Sequence, residues 1–336
     1  MRTNLLLAFF SAVLTLVVVG GMLELRLRSE AAADRAAIMK RYRVIAPCMR
    51  KAAVPELIYE RIPHACGANS IGFIDREHAV AKGDGVKRIV VIGDSVAEGR
   101  PEYSFSGDLQ ALLDEHFGTG AWEVIKFVVN GYSTEQELVL FREYGRRYAP
   151  DLILWSYVLN DPAHPVFHRG NADMGRFHHE PTSYLLHYVE RSWFALRERI
   201  RRHWRDCPEE YHQLLHCAYR DEIVDNLRRI AAAGRESGVP LILVVHPVFQ
   251  KEGWERYSLT DVHQRLSEAA KSSGLEVTDL LDDFRRYPVD ELRTDESRIW
   301  YDPWHPNRKG HKVIARSLFS YVTAQPSTAK LFAPGS

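Results

Sequence analysis

From Lys87 onward, short runs of aliphatic and β-branched residues alternate with longer segments of helical periodicity, a pattern that few folds accommodate. The runs are Lys87 to Ile92, Glu123 to Val129, Asp151 to Val158, Pro240 to His246 and Leu275 to Asp279. Helical sequence lies between them, at Tyr103 to Phe117, Thr134 to Tyr148, Glu222 to Glu236 and Thr260 to Ser273. Runs that are apolar nearly throughout, rather than at every second position, belong to a parallel sheet covered on both faces. The expected fold class is therefore α/β, a three-layer α/β/α sandwich with a parallel sheet of about five strands. Such sheets bind ligands beyond the carboxyl ends of their strands.

The first run ends on Gly93-Asp94-Ser95, which hands a serine to a turn at that functional end of the sheet. Ser95 is the candidate nucleophile, although Gly, Asp and Ser together are also ordinary turn residues. A serine hydroxyl needs a nearby base to take its proton, and histidine suits that task at neutral pH. Far downstream stands Asp302-Pro303-Trp304-His305-Pro306-Asn307. The spacing of Asp302 and His305 lets one turn project both side chains toward the same point, with the carboxylate orienting the imidazole and the imidazole facing the serine.

The Gly-Asp-Ser and Asp-x-x-His-Pro-Asn blocks resemble those of the SGNH (GDSL-type) hydrolase family. Two further stretches resemble the family's remaining blocks: Asn130-Gly131-Tyr132-Ser133-Thr134 and Leu159-Asn160-Asp161. The likeness covers Lys87 to about Tyr321 and implies a flavodoxin-like fold. It also implies an oxyanion hole made by the Ser95 and Gly131 amides and the Asn160 side chain. Neutral donors already aimed at a developing oxyanion need little reorganisation, which is why acyl transfer uses them. Two positions depart from the family pattern: Val158 replaces a frequent glycine, and Val96 follows the serine where leucine is usual. Neither change removes a chemical group. Asn69-Ser70-Ile71-Gly72-Phe73 through Glu77 is similar to the lead-in of membrane-anchored bacterial members.

Ahead of this region, Leu5 to Leu23 runs without a charge and is about long enough to cross a bilayer. It reads as an uncleaved signal anchor, with a cleaved signal as the alternative. Positive charges flank both ends, so charge bias does not set its orientation. Cys48, Cys66, Cys207 and Cys217 form two local pairs, as expected for disulfides Cys48 to Cys66 and Cys207 to Cys217 in an oxidising compartment; four unpaired thiols are the other reading. The globular part is thus expected in the periplasm or outside the cell. Acidic and basic residues balance at 44 each, which leaves no electrostatic signature of nucleic-acid binding.

The expected organisation is a signal anchor at 1–28, a stalk and lead-in at 29–86, and a hydrolase domain at 87–325 carrying an insertion at 162–219. The insertion holds His164, His168, His178, His179, His187, His203, His212 and His216 with Trp193 and Trp204. Their spacings fit no strong metal-ligand pattern, so a wall or lid over the strand ends is expected, with Ser183 to Arg202 as an amphipathic helix. His246 reads as structural, Asp94 and Asp161 as turn anchors, and Glu98 as an exposed first-turn carboxylate. Trp300, Tyr301 and Trp304 either form a sugar-stacking platform or pack their loop. Asn307 is placed to cap the last helix.

The expected activity is hydrolysis of an acyl ester, preferably an O-acetyl group on an extracytoplasmic carbohydrate or lipid, with no cofactor and no metal. An O-acyltransferase on the same scaffold and a non-catalytic envelope or glycan-binding module are the alternatives. Oligomeric state is not legible.

Overall fold

The five expected strands form one parallel sheet in the computed structural model, which describes residues 2–41, 46–162, 181–295 and 301–333. After a small hairpin of β1 (Met49–Lys51) and β2 (Tyr59–Arg61), the sheet strands are β3 (Lys87–Gly93), β4 (Trp122–Val128), β5 (Leu152–Val158), β6 (Leu241–His246) and β7 (Glu276–Asp279). Their order is β4-β3-β5-β6-β7, so β3 lies between the strands that follow it in the chain. That reversal of direction at β3 is the switch point at which open α/β sheets keep a crevice.

Alternate residues of each strand enter different cores. Val90, Ile92, Ile153, Trp155, Leu243 and Val245 pack on one face, beneath α4 (Thr134–Glu143), α7 (Arg220–Ser237) and α8 (Thr260–Ser272). Ile89, Val91, Leu152, Leu154, Ile242 and Val244 pack on the other, beneath α3 (Phe105–Phe117) and α11 (Arg308–Ala324). Two short helices, α9 (Leu281–Phe284) and α10 (Val289–Leu292), add Phe284 and Leu292 to this second core. With the side-chain period of two and both faces covered, the interior strands β5 and β6 are buried at every position and apolar nearly throughout, whereas the edge strand β7 is Glu-Val-Thr-Asp. The long helices carry one apolar stripe each: in α3, Phe105, Leu109 and Leu113 are fully buried. As expected, the Asn307 side chain caps α11, accepting from the Gly310 N–H at 3.0 Å.

At the N-terminus, α1 (Arg2–Arg41) is one continuous helix. Among the described residues it is the one helix long and apolar enough to cross a membrane, and none of its apolar window is buried. The expected stalk and lead-in at 29–86 divides in two. Through Arg41 it continues α1, but from Met49 it contributes to the core of the sheet domain, where Met49, Leu57, Tyr59 and Phe73 join the same cluster as β3. Phe73 meets Phe127 and Tyr144 edge-on at 5.2 and 5.1 Å, each contact contributing about 0.5–1.5 kcal/mol beyond burial.

Both cysteine pairs stand at bonding distance, Cys48 with Cys66 and Cys207 with Cys217. Within the insertion, α5 (Tyr184–Trp204) and α6 (Tyr211–Ala218) are described. His164, His168, His178 and His179 lie outside the described residues, as does Trp300.

Candidate active site

Three neighbouring strands deliver the candidate residues to one end of the sheet. β3 ends at Gly93, which is in register with Val128, the last residue of β4; Ile92 is in register with Trp155 of β5. Ser95, Gly131 and Asn160 each follow within a few residues of those ends. Gly93 is required by close packing, since a Cβ there would lie 2.8 Å from the Ser156 Cβ and 3.0 Å from that of Ala97. Gly131 has φ of 80°, in the left-handed region that favours glycine.

Ser95 opens α2 (Ser95–Glu98), and Asp94 caps that turn by accepting from the Val96 N–H at 3.0 Å. The Ser95 Oγ lies 2.9 Å from His305 Nε2 and 3.3 Å from an Asp94 oxygen. His305 Nδ1 lies 2.7 Å from Asp302 Oδ2. With Nδ1 donating to the carboxylate, Nε2 is left to accept from the serine hydroxyl, and the chain of three groups is continuous. The second Asp302 oxygen accepts from the backbone N–H groups of Trp304 and His305, at 2.9 and 3.1 Å. Burial opposes the charge on Asp302, but the bond from His305 and these backbone donors outweigh it and hold the carboxyl below its ordinary range. An ionised, fully bonded carboxylate fixes the imidazole tautomer that lets its far nitrogen take a proton.

The loops bearing Gly131 and Asn160 are tied together. Asp161 accepts from the Val158 N–H at 2.7 Å, and its carbonyl accepts from Thr134 N at 3.3 Å, which joins the β5 turn to the start of α4. The hairpin braces the glycine loop from outside. Tyr59 donates its phenol to the Asn130 carbonyl at 2.9 Å, and Gln136 reaches the Leu57 carbonyl at 2.8 Å.

Glu98 is not the exposed carboxylate expected of a first turn. It is 7% exposed, paired with Arg61 at 2.5 Å, and accepts from the Asn130 N–H at 3.3 Å. Burying that charge is tolerated because a guanidinium and a backbone amide satisfy it. Asp94 and Asp161 anchor turns as read from the sequence. His246 is buried with Nε2 2.8 Å from the Ser156 Oγ, and burial pushes its pKa down to about 3. Trp304 donates its indole N–H to His212 Nε2 at 3.2 Å, while the Arg293 guanidinium covers the Tyr301 ring at 4.3 Å. Both residues are half-buried, Trp304 against the first core and Tyr301 against the second. Among the described residues no three His, Cys, Asp or Glu side chains form a metal-holding group.

Sequence reasoning missed Arg61, Tyr59 and the buried Glu137, which accepts from the Trp155 indole at 2.8 Å. Glu137 sits on the apolar face of α4, and that position alone was its signal.

The family model for GDSL-like lipases and acylhydrolases matches residues 91–313, a span that includes all five candidate residues. The chain belongs to the GDSL-like lipase/acylhydrolase family. This family member is accordingly an esterase-type hydrolase. Among curated proteins none matches the chain. Solved structures similar to this GDSL-like protein include Axe2, an acetylxylan esterase from Geobacillus stearothermophilus. It is 15% identical, with 71% of this chain and 95% of that one covered and a TM-score of 0.45. LAE5, an alpha/beta hydrolase enzyme from the metagenome of Lake Arreo, Spain, is 17% identical over 70% of this chain and 94% of its own, with a TM-score of 0.44. The acetyl xylan esterase AlAXEase is 13% identical over 70% and 99%, with a TM-score of 0.43.

Proposed function

We propose that Ser95 attacks the carbonyl of an acyl ester while His305 takes its proton, with Asp302 orienting and stabilising the imidazolium. The tetrahedral oxyanion is held by the Ser95 and Gly131 amides and the Asn160 side-chain amide. Collapse breaks the bond to the alcohol, which leaves with the proton from His305, and the acyl group stays on Ser95. Water activated by the same histidine then releases the acid. No step calls for a cofactor or metal.

The unbroken hydrogen-bond chain from Asp302 through His305 to Ser95 carries this reading. The catalytic unit in this reading is the domain at 87–325, with the hairpin of the 29–86 segment as its buttress and the 162–219 insertion as a wall. Residues 1–28 serve as a single-pass anchor that places the domain in the periplasm or outside the cell. The paired cysteines support that placement, since structural disulfides persist in oxidising compartments. The substrate in this reading is an acyl ester, an O-acetyl group above all, carried by an extracytoplasmic carbohydrate or lipid.

The test is hydrolysis of an aryl acetate and a longer acyl ester by the full chain in detergent, beside Ser95→Ala, with labelling by an active-site phosphonate. Turnover and labelling that both vanish in Ser95→Ala are expected. Phosphonate labelling without ester hydrolysis, together with consumption of the ester once a sugar acceptor is added, replaces water with an acceptor hydroxyl and makes the protein an acyltransferase. Turnover that survives in Ser95→Ala overturns the assignment.

A further inference from the structure

Helix α5 is built the wrong way round for a helix facing water. Its stripe of Leu186, Val189, Trp193, Leu196, Ile200 and Trp204, spaced three or four residues apart, points away from the protein. Trp193 is 68% exposed and Trp204 83%. Part of its charge turns inward, while Glu190, Arg197, Arg199 and Arg202 stay exposed beside the stripe. Glu198 is buried, Arg201 pairs with Glu222 at 2.5 Å, and Arg205 pairs with Asp221 at 2.5 Å while also reaching the Ala218 carbonyl at 2.7 Å. A soluble helix places its apolar stripe against the core and its charges in solvent. A contiguous outward stripe of this kind marks a surface that meets something apolar.

The contacts of its first turn indicate which apolar medium it meets. Glu24 is the first charged residue after the apolar part of α1, so it stands at the bilayer surface when α1 crosses. Its carboxylate accepts from the Tyr184 and Leu185 N–H groups at 3.0 and 2.8 Å and from the Ser183 hydroxyl at 3.0 Å. Arg28, one turn further, donates to the Thr182 carbonyl at 3.0 Å and lies over the Tyr184 ring. The start of α5 is therefore pinned to α1 at the depth of the lipid headgroups. Exposed Arg197 and Arg199 flank the stripe, and the two tryptophans are the side chains that favour a membrane interface.

We propose that α5 lies in the interface of the bilayer that α1 crosses, with its Leu186-to-Trp204 stripe among the acyl chains, its exposed arginines at headgroup level and its Glu198 and Arg201 side toward the domain. The inference rests on the anchor reading of α1. It has a consequence for the site, because α6 follows directly and touches it: His216 donates to the Leu159 carbonyl at 3.1 Å and His212 accepts from Trp304. Two attachments, α1 and α5, then fix the orientation of the strand ends relative to the membrane.

The experiment uses the full chain in liposomes containing phosphatidylcholine brominated high on the acyl chains, with Trp193→Phe/Trp204→Phe as the comparison. These substitutions keep the stripe apolar, and unchanged aryl acetate hydrolysis reports an intact fold. The expected result is bromine quenching of the wild-type protein that largely disappears in the double variant, and weaker quenching when the bromines sit deeper. Flotation with the liposomes but equal quenching of both proteins overturns the placement of α5 and leaves the anchor standing. Failure to float overturns the anchor reading and the placement with it. Equal quenching together with cross-links between copies through α5 makes the stripe a protein interface and also overturns the proposal.

Discussion

Among the described residues two histidines stand between a carboxylate and a hydroxyl, and only one of them is at the candidate site. His305 links Asp302 to Ser95 at 2.7 and 2.9 Å. His263, on α8, links Asp279 to the phenol of Tyr257 at 2.9 and 3.0 Å. Distances alone do not separate them. The first difference is the hydroxyl: the Tyr257 oxygen is buried and also accepts from the Val248 N–H at 3.3 Å, so it is held on every side. The second is access, since the His305 side chain is 31% exposed and that of His263 only 2%. The third is position. Ser95 follows the interior strand β3 and has Gly131 and Asn160 at the adjacent strand ends, whereas Asp279 ends the edge strand β7. The same three groups serve as a brace where substrate cannot enter and as a candidate proton relay where it can.

Removing the orienting carboxylate breaks this comparison most directly. Asp302→Asn is expected to lower kcat by about 10⁴-fold, because the histidine is left in the wrong tautomer. Asp279→Asn is expected to leave kcat nearly unchanged and to lower stability by about 1–3 kcal/mol through a disturbed buried bond. Parallel ester kinetics and urea unfolding of the two variants check both claims, and a large kcat loss in Asp279→Asn would erase the distinction. Asn160→Ala sharpens the point about position, with an expected kcat loss of about 10²–10³-fold and a smaller change in KM. Tyr257→Phe is expected to cost about 1 kcal/mol in stability with kcat intact.

The sheet and the candidate residues are legible in the amino-acid sequence alone. The interior strands fall where the apolar runs place them because strands buried on both faces have no polar alternation to blur their limits. The four blocks carrying Ser95, Gly131, Asn160, Asp302 and His305 sit at ends of elements, where turn chemistry shows in the residues themselves. The bracing is not legible. Arg61 and Glu98 are charged residues that a sequence assigns to the surface, and their burial depends on a hairpin whose packing leaves no periodic trace. The inversion of α5 is hidden for a related reason. Its amphipathic period is plain, but periodicity states that two faces differ and not which one turns outward.

The comparison extends from histidines to carboxyl groups. Asp302 is held below its ordinary range by donors, whereas Glu137, fully buried beneath the same strand ends, is pushed well above it, by burial first and then by the nearby Asp94. Asp161 is raised in the same way, by burial and then by Glu137. The consequences for stability have opposite signs. The contribution of Asp302 is present above the unfolded carboxyl pKa of about 3.9 and is lost as pH falls through its lower folded value. That of Glu137 is complete below about 4.3 and is lost as pH rises toward its raised folded value, at up to about 1.4 kcal/mol per pH unit. Glu137→Gln keeps an acceptor for the Trp155 indole but has no proton to lose. Urea unfolding of the detergent-solubilised chain between pH 5 and pH 8 should therefore show the variant gaining on the wild type as pH rises. Parallel profiles would mean that Glu137 is already ionised in place, and would assign the buried proton to Asp161 instead.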